Sequence, residues 1–298
     1  MIRGQLPAYR GHQGSLPSRL RDLAKVGCTR MSFEWEIVES GPKSADHTVL
    51  LIPGGLNTSR SYAELMAQPA LAGVRLIAVT LPGNGGTPPP EDFSIENYAR
   101  LTADLVADFG CDVVLGFSLG ASVAFEMVAS GAFCGPVVLL GPSLSPKDEP
   151  GFFRAIVWLG GPLGSLPSVT MLKMMGMATK QARLSDDRRA ELLADFRKND
   201  PRIMRQGFRA YLRYLDRYDS PAARLCDAGV PAWVVHAEKG DGGLTREERS
   251  TLKACPRTTL VTIPGTSYFI PNEEPERVAS LLVDALDQAV DHTDRRGG

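Results

Sequence analysis

The segment Gly116-Phe117-Ser118-Leu119-Gly120 lies directly between an apolar run, 112–115, and a helical run, 121–129. A serine at a tight strand-to-helix turn is held in a strained, exposed position. Glycines on either side let the strand and the helix pack closely enough to make that turn. The helix N-terminus behind the hydroxyl favours negative charge developing in front of it. These residue types in this order are suited to nucleophilic attack on a carbonyl carbon.

Here the chain resembles the α/β-hydrolase superfamily, and the resemblance extends from about residue 31 to 290. Thr48-Val49-Leu50-Leu51-Ile52-Pro53-Gly54-Gly55 is similar to that family's strand and oxyanion loop, with Pro53 where many members have histidine. Leu81-Pro82-Gly83-Asn84-Gly85-Gly86-Thr87 is similar to its D-x-P-G-x-G-x-S loop, a structural marker. The resemblance implies that Ser118 is the nucleophile. The oxyanion donors are then the backbone N–H of Leu119 and that of Gly55, or of Leu56 if the loop is shifted by one. The acid is expected after the strand 232–237, where Asp241 is the best match and Glu238 a competitor.

The family's histidine falls after the last strand, in a pattern close to P-G-x-G-H-x. This chain reads Pro264-Gly265-Thr266-Ser267-Tyr268-Phe269, with Tyr268 at the histidine position. The substitution matters because a serine hydroxyl is a weak nucleophile that needs a base titrating near neutrality. A phenol titrates near 10 and acts as a hydrogen-bond partner and proton donor at neutral pH. The chain has four histidines: His12, His47, His236 and His292. His47 precedes a strand, at the sheet end opposite the one where ligands bind in open α/β folds. His236 ends a strand and reads as structural, His292 belongs to the polar tail and His12 to an N-terminal arm.

These residues need elements to position them. Strands are expected at 31–38, 48–52, 74–80, 112–117, 137–140, 232–237 and 258–263. Most are continuous apolar runs, the signature of parallel strands buried on both faces. Amphipathic helices lie between them: Ile95, Tyr98, Leu101, Leu105 and Phe109 form one apolar face, and Val278, Leu282, Leu286 and Ala289 another. Ser94 is placed to cap the first of these without a full capping box. Strand and helix in alternation predict an α/β fold with a mostly parallel sheet.

The expected organisation is an arm at 1–30, a sheet core at 31–142 and 220–290, a helical insertion at 143–219 and a polar tail at 291–298. The insertion sits where relatives in the superfamily carry a cap over the active site. Its stretch 186–217 holds nine basic and six acidic residues, which reads as a solvated helix face rather than an anion site. Met171, Met174, Met175 and Met177 read as flexible filler of the cap core, or alternatively as the lining of an adaptable apolar pocket.

Lys and Arg number 33 against 34 Asp and Glu, a formal charge of −1, which argues against a nucleic-acid partner. The longest apolar runs are strand-sized, so no membrane partner is expected. Five cysteines without a C-x-x-C pair argue against a disulfide framework and against zinc, and point to a cytoplasmic location. The expectation is a serine hydrolase, esterase- or thioesterase-like, acting on a small apolar carbonyl compound with no cofactor. Two alternatives stay open: a ligand-binding pseudo-hydrolase, and a lyase or cyclase using the oxyanion hole. Oligomeric state is not legible.

Overall fold

The computed structural model describes residues 33–149, 151–159, 170, 173, 176–177, 179–239, 243–266 and 269–294. The chain divides after Glu34, and the larger unit begins at Trp35. Seven strands form one sheet in the order β1-β3-β2-β4-β5-β6-β7. They are β1 (Ile37–Ser40), β2 (Thr48–Ile52), β3 (Arg75–Val79), β4 (Val113–Phe117), β5 (Val137–Leu140), β6 (Ala232–Lys239) and β7 (Thr258–Thr266). β1 is antiparallel to β3 and every other pairing is parallel.

The central strands are apolar at every position because both of their faces are covered. Alternation along each strand divides the core in two. Leu50, Ile52, Val114 and Leu139 face one layer, packed with Tyr98 and Leu105 of α1 (Ile95–Phe109) and Val123 and Met127 of α2 (Leu119–Ala129). Val49, Leu51, Leu115 and Val138 face the other, together with Val278, Leu282 and Leu286 of the C-terminal helix Pro275–Asp294. Ser94 caps α1 by accepting from the Asn97 N–H at 3.2 Å. The C-terminal helix runs to Asp294, four residues into what composition marks as tail.

The first strand begins later than the expected 31–38. Thr80 N–H bonds Glu36 O at 2.9 Å, and Ile37 pairs with Val79, the last residue of β3.

Between β5 and β6 come α3 (Gly151–Leu159), α4 (Asp186–Arg197), α5 (Pro201–Leu215) and α6 (Pro221–Ala228). Asp200 caps α5 and Pro201 fills its first turn, where a missing N–H costs nothing. α5 buries Met204, Tyr211, Leu212, Tyr214 and Leu215, and is fastened to α2 by a buried carboxylate. Glu126 Oε2 accepts from Tyr214 Oη at 2.8 Å and Arg224 Nη2 at 3.0 Å. Of the four methionines read as cap filler, Met177 is instead 56% exposed, and Met171, Met174 and Met175 lie outside the described residues.

One cysteine pair corrects the sequence-based expectation. Cys226 of α6 and Cys255, which ends α7 (Arg246–Ala254), form a disulfide with their Cα atoms 5.5 Å apart. No spacing signal marks the pair, because the packing of α6 on α7 brings it together.

Candidate active site

Ser118 stands at the junction of β4 and α2 with φ 50 and ψ −114. Only Leu56 and Ser118 have left-handed φ among the described residues other than glycine. Such backbone costs of order 1–3 kcal/mol and persists where its surroundings enforce it. The enforcement is visible at the glycines. A Cβ at Gly116 would lie 2.2 Å from Gly120 O, and one at Gly120 would lie 2.2 Å from Ile52 O and 2.6 Å from Pro53 O. The serine is thus wedged between its own strand and the end of β2.

The register brings in the second loop. Ile52 pairs with Gly116, so β2 and β4 end at one level and Gly54-Gly55 emerges beside the elbow. A Cβ at Gly55 would lie 3.5 Å from Leu119 Cδ2 and 3.3 Å from the Phe208 ring of α5. Among the described residues, neither the Gly55 nor the Leu119 N–H donates a hydrogen bond within the fold. Leu56 N–H, by contrast, donates to Asn84 Oδ1 at 2.8 Å. That bond occupies the donor of a loop shifted by one and leaves Gly55 as the available amide. A cavity of about 20 Å³, room for roughly one water, sits here, walled by Gly55, Leu119, Ile203, Met204 and Phe208.

Asp241 and Tyr268 lie outside the described residues. Glu238, the competing acid, is exposed near the end of β6 and accepts from the Gly265 N–H of β7 at 3.0 Å. Its carboxylate is thereby tied to the strand next to it. Phe269 is buried and stacks on Phe196 of α4, with ring centroids 6.3 Å apart.

Neither described imidazole is placed beside Ser118. His47 Nδ1 lies 3.7 Å from Asp112 Oδ2, at the end where β2 and β4 begin. His236 is buried in β6 opposite Thr262. Two strand spacings, about 10 Å, separate its backbone from that of β4. His12 lies outside the described residues, as does the His292 side chain. Among the described residues, no group of three or more His, Cys, Asp or Glu side chains is arranged to hold a metal.

Two asparagines that sequence reasoning did not connect to the chemistry hold the turn that carries Gly55 and Leu56. Asn84 accepts from Leu56 N–H, and Asn199 Nδ2 donates to Leu56 O at 3.0 Å. Asn199 Oδ1 also accepts from Gly85 N–H at 2.9 Å. Thr58 Oγ1 donates to Asp195 Oδ2 at 2.7 Å. Although burial pushes the Asp195 carboxyl up, hydrogen bonds from Lys198 and Thr58 hold it below the usual carboxylate range. Asn84 belonged to a glycine-rich loop read as a structural marker, and Asn199 carried no local signal.

No curated protein sequence matches the chain at a significant level. In fold it is similar to N-acyl homoserine lactonase AidH, with 18% identity, a TM-score of 0.68, and 86% of this chain and 94% of that one covered. An esterase from Thermogutta terrifontis gives 20% identity and a TM-score of 0.66, covering 86% and 94%. A lipase-esterase related protein from Clostridium acetobutylicum gives 15% identity and a TM-score of 0.66, covering 84% and 99%. The profile of the alpha/beta hydrolase family matches residues 49–281, most of the chain. With the sheet order, the elbow and this match in agreement, the chain belongs to the α/β-hydrolase family.

Proposed function

We propose that the protein is a serine hydrolase of the esterase or thioesterase kind, acting on a small apolar carbonyl compound. The observation that carries this reading is the left-handed Ser118 at the start of α2, with the undonated N–H groups of Leu119 and Gly55 beside it. Ser118 Oγ attacks the carbonyl carbon, and the carbonyl oxygen takes up negative charge facing the two amides. Such preorganised donors are worth about 10²–10³ in turnover each. Collapse of the tetrahedral species expels the leaving group, which departs as the alcohol or thiol carrying the proton that Ser118 gave up, and leaves an acyl-serine that water then cleaves. The side chains beside the two amides, Leu119, Ile203, Met204 and Phe208, are apolar, which supports an apolar substrate over a charged one. Esters are also the chemistry that the names of the structural neighbours suggest.

In this proposal Asp241 is the triad acid and Tyr268 takes the place of the base. A phenol titrating near 10 holds its proton at neutral pH, so the serine is activated weakly and turnover is slow. Removing the histidine from a comparable triad costs roughly 10⁶ in turnover, while binding and the oxyanion hole keep about 10³–10⁴ over water. A short-to-medium acyl p-nitrophenyl ester panel tests the reading, run on wild type, Ser118→Ala and Tyr268→His. Slow turnover that vanishes in Ser118→Ala and rises in Tyr268→His is expected. Turnover retained in Ser118→Ala would rule out the nucleophile.

A second reading is favoured by one observation, the placement of His47 and His236 away from Ser118. It is a ligand-binding pseudo-hydrolase with an intact pocket. An inert wild type whose Tyr268→His variant is active would select it.

A further inference from the structure

Gly54 to Asn57 form a tight turn closed by Asn57 N–H on Gly54 O at 3.2 Å. Leu56, at φ 69, occupies the third position of this turn, which glycine or asparagine fills without strain. A leucine there is held by its surroundings. Both of its peptide groups are gripped by asparagine side chains, Asn84 on the N–H at 2.8 Å and Asn199 on the carbonyl at 3.0 Å. The two come from different parts of the molecule. Asn84 follows β3 in the sheet core, whereas Asn199 lies between α4 and α5 in the insertion that covers it. Asn84, Asn199, Thr58 and Asp195 are each at most 8% exposed, so water does not substitute readily for these bonds.

We propose that Asn199 is a positioning residue for the oxyanion loop, through which docking of the cap sets the direction of the Gly55 N–H. The grip on Leu56 fixes the strained end of the turn, and the Gly55 amide is linked to it within a turn closed by the Asn57 N–H on Gly54 O. Thr58 on Asp195 and Gly85 on Asn199 hold the same two loops against the same end of α4. A cap that lifts breaks the bond to Leu56 O and frees the turn to relax from its left-handed residue. The oxyanion hole is therefore complete only while the cap is seated, which ties the stabilisation of charge to the closed state. The consequence for catalysis rests on the serine-hydrolase reading, whereas the mechanical link does not.

The test compares paired substitutions. Asn199→Asp keeps the acceptor for Gly85 N–H but cannot donate to Leu56 O, and Asn199→Ala loses both. Asn84→Asp keeps the acceptor for Leu56 N–H, and Asn84→Ala removes it. On a p-nitrophenyl ester, both Asn199 variants should lose roughly 10- to 100-fold in kcat with KM within about twofold, because a misplaced amide fails only in the transition state. Asn84→Asp should retain most of the kcat that Asn84→Ala loses. A fall in thermal stability with kcat unchanged, or a change confined to KM, would overturn the proposal. Amide hydrogen exchange supplies a readout without turnover. In Asn199→Ala the Leu56 and Asn57 amides should exchange at least about tenfold faster while β4 is unaffected, and unchanged exchange would equally overturn it. If wild type shows no Ser118-dependent turnover, the functional reading fails and the exchange result still decides the link.

Discussion

Ile52 and Gly116 stand opposite one another in the parallel ladder between β2 and β4. That pairing ends the two strands at one level. It sets Gly55 beside Leu119 and brings the carbonyl of Ile52 so close to Gly120 that no side chain fits there. A slip of the register by one residue would separate the serine from the second amide and reverse the faces of β2, so the buried faces of the sheet protect the geometry of the site.

If the protein is the proposed ester hydrolase, Gly120→Ala is expected to eliminate its turnover. Its Cβ would stand 2.2 Å from Ile52 O and force β2 and the elbow apart. Overpacking of this kind costs about 1–3 kcal/mol. Chemical denaturation together with an ester assay checks both effects, and a fully active variant would show that the close approach is dispensable.

The helices between β5 and β6 are fastened to α2 through Glu126, whose carboxylate serves Tyr214 and Arg224 at once. Glu126→Ala leaves both donors without that acceptor and should destabilise the fold by about 2–3 kcal/mol. Urea denaturation measures the change. A variant as stable as wild type would mean that these helices are held by their apolar contacts alone.

Stability should also depend on pH through Asp148, at the start of the insertion. Burial pushes its carboxyl up to about 6, Glu248 opposite adds to the rise, and the Leu144 and Ser145 N–H groups partly offset it. The folded protein then holds this proton more tightly than the unfolded chain. The contribution is largest below pH ~4 and is lost as pH rises towards 6. Asp148→Asn removes the charge, and its stability should exceed that of wild type above pH ~6 and converge with it near pH ~4. Denaturation midpoints across this range test the sign. A wild-type excess that grows as the pH rises would contradict it.

The Cys226–Cys255 link closes a loop of 29 residues, for which chain entropy gives a stabilisation of about 3–4 kcal/mol. Reduction, or Cys226→Ser with Cys255→Ser, should lower the melting temperature. Thiol counting on the denatured protein before and after reduction establishes the pair, and four or more free thiols before reduction would refute it.

Much of the fold was legible because its signals are local. The apolar runs at 48–52, 112–117 and 137–140 marked buried strands, and Ser94 marked the start of α1. Ser118 was legible for the same reason, since strand, turn and helix are contiguous around it. What escaped was long-range. Asn199 lies 143 residues from Leu56, and only tertiary packing joins them. Cys226 and Cys255 belong to different helices with no motif between them. Leu56 was weighed as an oxyanion donor from its place in the loop, but the side chain that occupies its amide comes from 28 residues away.

The central claim is that Ser118 is a nucleophile served by the Leu119 and Gly55 amides. Its most direct test is intact-mass and peptide mapping of the protein after exposure to a fluorophosphonate, which traps a reactive serine as a covalent adduct. The account predicts one adduct per chain, on the peptide that carries Ser118, forming slowly in wild type, faster in Tyr268→His and not at all in Ser118→Ala. An adduct that persists in Ser118→Ala, or a Tyr268→His protein that stays unlabelled, would contradict it.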